Sequence, residues 1–262
     1  MKLEVLLSCM RQTDMSIAER SHIQSDLLII NQSGQNDYKE KKLGMYCCRM
    51  ISTTERGLSR SRNMALKNAK GDICLICDDD EVLDEGYQEK ILNAFKQYPQ
   101  ADLLAFIVSV SEAGYDTKKY RDHVGKLNYF TSLKISSYQI AFKRQAILEK
   151  SIMFDESIGS GASTAGGEEN IFLHDCLKKG LQLWFVPVHI AYASQEVSQW
   201  AHHLFTRTFF EDRGRFTKKL WGGHSFAFAY AFFYAMKKYP RYKHKTTFRI
   251  ALFAMLKGIF TK

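Results

Sequence analysis

A run of four acidic residues constrains this chain more than any other feature. Asp78, Asp79, Asp80 and Glu81 directly follow the apolar residues 73–77 (ICLIC), which predict a buried strand. Carboxylates this close repel one another, and the repulsion raises their pKa values unless a cation compensates it. Ligand sets made only of oxygen suit Mg²⁺ or Mn²⁺. The acid run therefore predicts a metal site, in preference to a solvated turn that caps the next helix.

Short apolar segments alternate with helical patterns through the first half of the chain. Such alternation is typical of βαβ units and a largely parallel sheet. Helices are predicted over residues 58–70 and around 84–95, and strands over residues 3–8, 26–31, 46–52, 73–77 and 103–110. In open sheets of this class, ligands bind at the carboxyl ends of the strands. The acid run lies at such an end.

A glycine-rich segment marks the second half of the chain. Residues 154–167 contain four of the 16 glycines, which predicts a mobile loop. A helix is predicted to follow over residues 168–179 and a strand over 183–187. Before the loop, residues 115–129 are predicted to form an exposed insertion and residues 136–142 a strand.

The segment before the first long helix has the composition of an anion site. Gly57 allows a close backbone approach, the helix start presents free N–H groups, and Arg60 and Arg62 add donors. Ser59 is also an ordinary N-cap candidate. Beside the acid run, this segment predicts a site for a nucleotide diphosphate, whose charge a metal ion would neutralise.

Glu168 and Glu169 form a second carboxylate pair, at the start of the helix that follows the glycine-rich segment. Either residue is a candidate general base if burial or its neighbour raises its pKa, and the glycine-rich segment is predicted to close over a substrate. Acidic residues also favour helix N-termini for electrostatic reasons alone. Spacing does not separate these two interpretations.

Together these motifs resemble family 2 glycosyltransferases of the GT-A fold over residues 3–200. The matching segments are LSCM (7–10), GLSRSRN (57–63), ICLICDDDE (73–81, in place of a strand plus Asp-x-Asp) and FDESIG…GGEENIFLHDCLKKG. The resemblance implies an α/β fold with a single mixed, mostly parallel sheet flanked by helices. It also implies inverting transfer of the kind found in bacterial surface polysaccharide synthesis.

The resemblance implies roles for individual residues. Asp78 and Asp80 would hold Mn²⁺ or Mg²⁺. Glu169 would be the base, with Glu168 beside it. The nucleotide sugar would be bound by residues at the strand ends and the helix start: Ser8, Gly57, Arg62, Asn63, Asp78 and Asp79.

Further sequence features bear on the donor, the acceptor and the metal. Asn31 and Gln32 end the second strand where many relatives carry acids that meet the base of the nucleotide, and a UDP-sugar is the favoured donor. The Gln-x-x-Arg-Trp motif of processive members is absent, which implies transfer of a single sugar. Trp200 is predicted to stack on the acceptor, with core packing as the alternative. Candidate third metal ligands are His189, His202 and His203.

The positive charge of the chain is concentrated in its last fifty residues. Residues 213–262 hold 12 Lys and Arg and no Asp or Glu, whereas the other residues hold 25 basic and 28 acidic side chains. A terminal basic block rich in aromatic residues fits an anionic membrane surface better than nucleic acid. A membrane surface is therefore expected as a partner, and nucleic acid is not.

Two apolar patterns lie within this basic block. Residues 220–236 carry no formal charge over a length at the lower limit of the roughly 17–25 residues that span a bilayer. An apolar helix face is predicted further on, at Phe248, Leu252, Met255, Leu256 and Ile259. We predict interfacial membrane attachment here, with a helical pair that covers the catalytic domain, or a dimer contact, as the alternative.

The cysteines and the start of the chain indicate a reducing compartment. Six cysteines, with Cys47 and Cys48 adjacent, give no disulfide framework, and Cys74 and Cys77 lie inside an apolar segment that favours core packing over zinc. The first residues show no secretion signal. We expect a cytoplasmic protein, peripheral on the inner face of the membrane.

The sequence thus predicts a catalytic domain over residues 1–212 and a basic, aromatic helical tail over 213–262. Within the domain, residues 1–100 would bind the nucleotide sugar and residues 101–212 the acceptor. The predicted activity is metal-dependent transfer of one sugar to a glycan or lipid-linked acceptor, and a homo-oligomer is compatible with it. The alternatives are a nucleotidyltransferase on a related sheet, or a non-enzymatic nucleic-acid-binding or membrane-binding protein that uses the tail.

Overall fold

Strands and helices alternate along the chain, as the apolar pattern predicts. The computed structural model describes residues 1–112, 115–116, 120–162, 164, 166–194 and 204–261. Its strands are β1 (Leu3–Met10), β2 (Asp26–Gln32), β3 (Asp37–Leu43), β4 (Tyr46–Thr53), β5 (Ile73–Asp78), β6 (Glu81–Leu83), β7 (Leu103–Glu112), β8 (Tyr115–Asp116), β9 (Gly125–Lys126), β10 (Ile140–Lys143) and β11 (Leu183–Ser194). Its helices are α1 (Ile17–Arg20), α2 (Leu58–Asn68), α3 (Tyr87–Gln97), α4 (Arg144–Glu149), α5 (Glu168–Lys178), α6 (Arg207–Trp221), α7 (His224–Tyr242) and α8 (Phe248–Phe260).

One mixed sheet contains the strands found in these residues. Its order is β3-β4-β2-β1-β5-β10-β7-β11-β6, while β8 pairs with β7 and β9 with β11. Strands β4, β2, β1, β5, β7 and β11 run in one direction, and β3, β10 and β6 run in the other. This confirms the predicted single, mostly parallel sheet of an α/β fold.

Helices cover both faces of the sheet, so its central strands are buried on both sides. On β1, Leu3 and Leu7 belong to a core that includes Ile91 of α3. Leu6 points to the opposite face, where a second core includes Leu66 of α2. Burial on both faces explains why these strands are continuous apolar runs instead of alternating patterns.

The order of the strands creates a crevice beside β1. The chain runs from β1 to β2 and β4 on one side and then returns to β5 on the other side. In the parallel registers, Met10 of β1 pairs with Gln32 of β2, and Ser8 pairs with Asp78 of β5. The carboxyl ends at such a switch point are where open α/β sheets bind ligands.

Several elements differ from the predicted ones. The first four residues of the predicted strand 136–142 are irregular or form a 3₁₀ turn, so β10 begins at Ile140. The predicted strand 183–187 continues to Ser194, because a register shift after Phe185 accommodates Pro187. The predicted exposed insertion contributes β9 and the buried Leu127 to the fold.

Helices α6, α7 and α8 form a three-helix unit with a core of its own. This unit begins at Arg207, so the predicted boundary at residue 212 falls inside α6. The apolar residues 220–236 are divided between two helices, because Gly222 ends α6 with φ of 68°. No helix within the described ranges is long and apolar enough to cross a membrane.

The predicted apolar face of α8 packs inside the three-helix unit. Met255 and Ile259 are fully buried there. A Cβ on Gly214 of α6 would lie 2.1 Å from the Met255 carbonyl oxygen, and one on Gly258 would lie 2.0 Å from the carbonyl oxygen of Glu211. The two backbones therefore touch, and this face is not available to a membrane. Other residues form an exposed aromatic face on α7 and α8: Phe226, Phe232, Phe233, Met236, Tyr239, Ile250, Phe253 and Phe260.

The cysteines fit the prediction of core packing. All six thiols are free. Cys74 and Cys77 lie fully buried in β5. Burial raises the pKa of the Cys9 thiol to about 12 and that of Cys48 to about 11. These side chains act as small apolar groups.

Candidate active site

A cleft of about 610 Å³ opens at the carboxyl ends of β1, β2 and β5 and the start of α2. Five of the predicted site residues line it: Ser8, Gly57, Asp78, Asp79 and Asp80. Gln32, which ends the predicted second strand, also lines the cleft, together with Arg56 and Ser160, which the sequence analysis did not single out. Sequence and structure therefore agree on where a ligand of this domain would bind.

The acid run begins at the last residue of β5. The Asp78 N–H donates to the Glu81 carboxylate at 2.7 Å, and Glu81 itself is buried. Burial and the Asp78 charge raise the pKa of Glu81 well above its ordinary value. Glu81 therefore supports the turn from behind, while Asp78, Asp79 and Asp80 face the cleft.

Of the three aspartates that face the cleft, Asp79 and Asp80 carry negative charge that no ion pair with a described residue balances. Desolvation and the Asp78 carboxylate raise the pKa of Asp80 to about 6, and the same causes raise the pKa of Asp79. Neither Asp79 nor Asp80 has an ion pair with a described residue. A divalent cation would relieve this repulsion, so the carboxylates present fit a metal ion whose coordination a bound diphosphate completes.

Protein side chains alone do not complete a metal site in the part of the chain that the structure describes, where no cluster of three His, Cys, Asp or Glu is suitably arranged. His189 is engaged elsewhere, because its Nδ1 meets Asp84 at 2.9 Å and its Nε2 meets Ser109 at 3.0 Å. It is therefore not the third ligand. His202 and His203 lie outside the described residues.

Arg62 lies behind the cleft instead of lining it. Its guanidinium is 3% exposed and donates to Asp78 at 2.9 Å, to Glu168 at 2.9 Å and to the Ser137 hydroxyl at 2.8 Å. Its guanidinium forms an electrostatic bridge between Asp78 of the acid run and Glu168 of the second carboxylate pair. No motif indicated this bridge, because its partners come from distant segments.

Asn63 also points away from the cleft. Its amide oxygen accepts the Phe154 N–H at 2.8 Å, and its amide nitrogen donates to the Phe154 carbonyl and to the Glu156 carboxylate, both at 3.0 Å. The side chain is buried. Asn63 therefore fixes the beginning of the glycine-rich segment to α2, and its side chain does not line the cleft.

The glycine-rich segment covers the start of α2. The Leu58 N–H, predicted to be free, donates to the Ser160 carbonyl at 2.9 Å. The N-cap residue is Gly57, with φ of 117°. Ser59, the N-cap candidate of the sequence, lies inside the helix, and its hydroxyl donates to the Ile158 carbonyl at 2.5 Å. Gly161 has φ of 80°, and a Cβ there would lie 3.2 Å from the Gly57 Cα, so both the backbone conformation and the close contact favour glycine.

The arginine that faces the cleft is not one of those predicted as anion donors. Arg60 forms an exposed ion pair with Glu156 at 3.4 Å. Arg56 is exposed and lines the cleft together with the acid run. Gln32 also faces this space, and its side-chain oxygen accepts the Gly57 N–H at 2.8 Å. The position of Gln32 at the end of a predicted strand was the available signal for its role.

Glu168 and Glu169 have different environments although they are adjacent. Glu168 is buried and paired with Arg62. Glu169 is half-buried, and loss of solvation together with the Glu168 charge raises its pKa to about 7. A carboxylate with this pKa can accept a proton near neutral pH. The structure thus distinguishes a structural glutamate, Glu168, from a candidate base, Glu169.

The three-helix unit contacts the start of α5. Gly167 is the N-cap of that helix, with φ of 99°. A Cβ at this position would lie 2.5 Å from the ring of Phe216, so α6 packs directly on the backbone beside Glu168. Phe216 shares a small core with Ile158 and Ile171. Trp200, the predicted acceptor residue, lies outside the described residues.

The mostly parallel sheet and the acidic cleft at its switch point place this chain among open α/β proteins that bind ligands at the carboxyl ends of their strands. The sequence model of glycosyl transferase family 2 matches residues 4–159. The chain belongs to this family and is a glycosyltransferase.

Solved structures share the fold. The S. aureus protein TarS, residues 1–349, in complex with UDP-GlcNAc has a TM-score of 0.66 at 12% identity, over 94% of this chain and 76% of that one. The complex of the same TarS fragment with UDP has a TM-score of 0.64 at 12% identity, over 99% and 81%. A comparison with curated proteins gives no match.

Proposed function

We propose that this glycosyltransferase moves one sugar from a nucleotide sugar to a hydroxyl group of a glycan or lipid-linked acceptor, with inversion at the sugar. One observation carries the proposal: Arg62 bonds to both Asp78 and Glu168. A single buried cation thus holds the donor-side acid run next to the helix that presents Glu169. Donor and base need this proximity for a direct displacement.

The donor diphosphate would lie in the cleft. Arg56 supplies a cation there, and Asp78 and Asp80 would hold Mn²⁺ or Mg²⁺. The bound metal would supply charge neutralisation for the departing nucleoside diphosphate. UDP is the favoured nucleotide, and the TarS structures with UDP-GlcNAc and UDP, which share this fold, support that choice.

Glu169 would act as the general base. The acceptor oxygen forms a bond to the anomeric carbon as the bond from that carbon to the diphosphate oxygen breaks, and the hydroxyl proton passes to Glu169. Attack from the face opposite the leaving group inverts the configuration. The raised pKa of about 7 gives Glu169 the basicity for this step at neutral pH.

The aromatic face of the three-helix unit supports peripheral attachment to an anionic membrane. Phe253 is 76% exposed and Phe233 is 62% exposed. Residues 213–262 contain no acidic side chain. Exposed aromatic rings among lysines and arginines are the composition of an interfacial helix. Attachment on the cytosolic face would bring a lipid-linked acceptor to the enzyme.

The first experiment is thermal unfolding of the purified protein with a panel of nucleoside diphosphates and nucleotide sugars, in Mn²⁺ or in EDTA. Ligands of the native state raise stability by mass action. We expect an upward shift with one nucleotide, greatest for the uridine compounds, that requires the metal. The absence of a shift with every nucleotide in Mn²⁺ would refute the proposed donor site.

Product analysis separates the proposal from nucleotidyl transfer on a related sheet. A glycosyltransferase releases a nucleoside diphosphate from the sugar nucleotide, whereas a nucleotidyltransferase produces pyrophosphate. Chromatography of the reaction with the nucleotide sugar that gives the thermal shift will identify the product. Production of pyrophosphate from a nucleoside triphosphate and a sugar phosphate would favour nucleotidyl transfer.

A further inference from the structure

Arg213 of α6 has an unusual environment for a cation. Its guanidinium carbon lies 5.0 Å from the ring centroid of Phe216, 5.2 Å from that of Tyr234 and 5.7 Å from that of Phe209. Ring contacts of this kind hold a guanidinium in place and leave its N–H groups free to bind an anion. No hydrogen bond or ion pair joins this side chain to another described residue.

The acids next to Arg213 in sequence are bonded to other residues. Asp212 pairs with Arg215 at 2.7 Å. Glu211 pairs with Arg207 at 3.3 Å and with Lys257 at 3.1 Å. The charge of Arg213 is therefore not neutralised by its own helix.

A second cation, Lys238, lies one helical turn along α7 from Tyr234, whose ring contacts Arg213. Lys238 of α7 is half-buried and forms no ion pair within the described part of the chain. Burial, together with repulsion from Arg241, Lys237 and Arg213, lowers the pKa of Lys238. Uncompensated positive charge on two neighbouring helices favours an anionic ligand between them.

Arg213 is connected through one aromatic ring to the start of the helix that carries the candidate base. Phe216, which contacts Arg213, packs against Gly167 at the start of α5. The charge of Arg213 also acts on Glu169 and partly offsets the increase in its pKa. An anion bound at Arg213 would therefore lie close to the carboxylate that accepts the proton.

We propose that Arg213 and Lys238 bind a phosphate group carried by the acceptor and so position the acceptor hydroxyl beside Glu169. This inference rests on the proposed function, since it assigns the acceptor class of the same site. Phosphate matches the donors present: a planar guanidinium fork and a flexible ammonium group. The acceptor would then be a phosphorylated or phosphate-linked glycan.

The test uses inorganic phosphate as the probe and the full chain labelled with ¹⁵N. The Arg213 side-chain resonance is assigned by its loss in Arg213→Gln. Phosphate is then titrated at constant ionic strength, with chloride as the balancing anion. We expect a saturable shift of this resonance in the wild type, and about tenfold weaker binding in Lys238→Gln, since charge-assisted hydrogen bonds are the strong ones.

Arg207→Gln is the matched control. Arg207 lies on the same helix, its side chain is 71% exposed, and it pairs only with Glu211 among the described residues. This variant should bind phosphate as tightly as the wild type. The inference is overturned if chloride alone produces the same shift, or if Lys238→Gln and Arg207→Gln bind phosphate equally.

Vesicles distinguish the acceptor from a membrane lipid as the source of the phosphate. Binding of Arg213→Gln to phosphatidylglycerol vesicles should match that of Arg207→Gln if the site serves the acceptor. A loss of vesicle binding specific to Arg213→Gln would overturn the assignment to the acceptor. Thermal shifts of the wild type with UDP and Mn²⁺ test the donor site separately, so failure of the proposed function is recognised independently.

Discussion

The guanidinium of Arg62 and the carboxylate of Glu168 form a buried ion pair at 2.9 Å between residues 106 positions apart in the sequence. The same guanidinium pairs with Asp78 at 2.9 Å. Two carboxylates thus depend on one cation for their neutralisation. Because Asp78 lines the cleft and Glu168 precedes the proposed base, the pairing links the stability of the fold to the geometry of the proposed site.

Replacing Arg62 should destabilise the protein strongly. Arg62→Gln leaves the buried Glu168 carboxylate without its cation, and loss of one partner from a buried pair costs about 3–5 kcal/mol. Urea unfolding followed by circular dichroism measures this change. Arg60→Gln, on the same helix, breaks an ion pair whose side chains are about half exposed and should cost less than about 1 kcal/mol. Equal losses in the two variants would contradict the bridge.

Replacing Glu169 should remove transfer and preserve donor binding. Glu169→Gln retains the size of the side chain and cannot accept a proton, so we expect a loss of at least about a hundredfold in the transfer rate. The thermal shift with the donor nucleotide should match that of the wild type. Normal sugar transfer by this variant would show that another group is the base.

The pH dependence of transfer should follow the Glu169 carboxylate. A base acts in its deprotonated form, and its pKa is raised to about 7 by loss of solvation and by Glu168. The transfer rate should therefore rise with pH up to about 7 and level off above it. Initial rates between pH 5 and 9 test this expectation. A rate that is constant from pH 5 upward would contradict it.

Replacing Asp80 should abolish metal-dependent donor binding. Asp80→Ala removes one of the two proposed metal ligands, so the difference between thermal shifts in Mn²⁺ and in EDTA should disappear. Glu85→Ala removes an exposed acid outside the cleft lining and should retain the difference. A metal-dependent shift of normal size in Asp80→Ala would exclude Asp80 as a ligand.

Polar substitution on the aromatic face should weaken membrane binding. Phe253→Ser removes a ring that is 76% exposed, so the fold is retained, while burial of a phenylalanine in lipid contributes roughly 1.5–3 kcal/mol. Co-sedimentation with phosphatidylglycerol vesicles should show about a tenfold loss of affinity. Met45→Ser, at a position that is 86% exposed and distant in sequence, is the control. Equal binding by both variants would argue against attachment through this face.

The central strands were predictable because burial on both faces leaves a continuous apolar run. Strand β3 was not, since its sequence DYKEKKL has no apolar period and five of its seven residues are exposed. Its backbone pairs with β4 at the edge of the sheet, where lysines are common because they discourage further pairing. Edge strands depend on a neighbour that local sequence does not reveal.

The residues at the carboxyl ends of strands were predictable from the sequence, whereas the contacts between distant segments were not. Asp78 had to lie at a carboxyl strand end, because it follows a buried strand of a parallel sheet. Apart from Asp78, the hydrogen-bond partners of Arg62 and Asn63 come from segments 75 to 106 residues away, and no local pattern encodes them. The same holds for α8, whose apolar face packs on α6 instead of a membrane.

The contact between α6 and α8 bears on the distance between the aromatic face and the proposed base. The backbones of α6 and α8 touch at Gly214 and Gly258, and Phe216 of α6 packs on Gly167. These contacts set the distance between the aromatic face and Glu169. If this face lies on a membrane, the three-helix unit sets the height of Glu169 above the lipid surface. That height would then determine which hydroxyl of a membrane-anchored glycan receives the sugar.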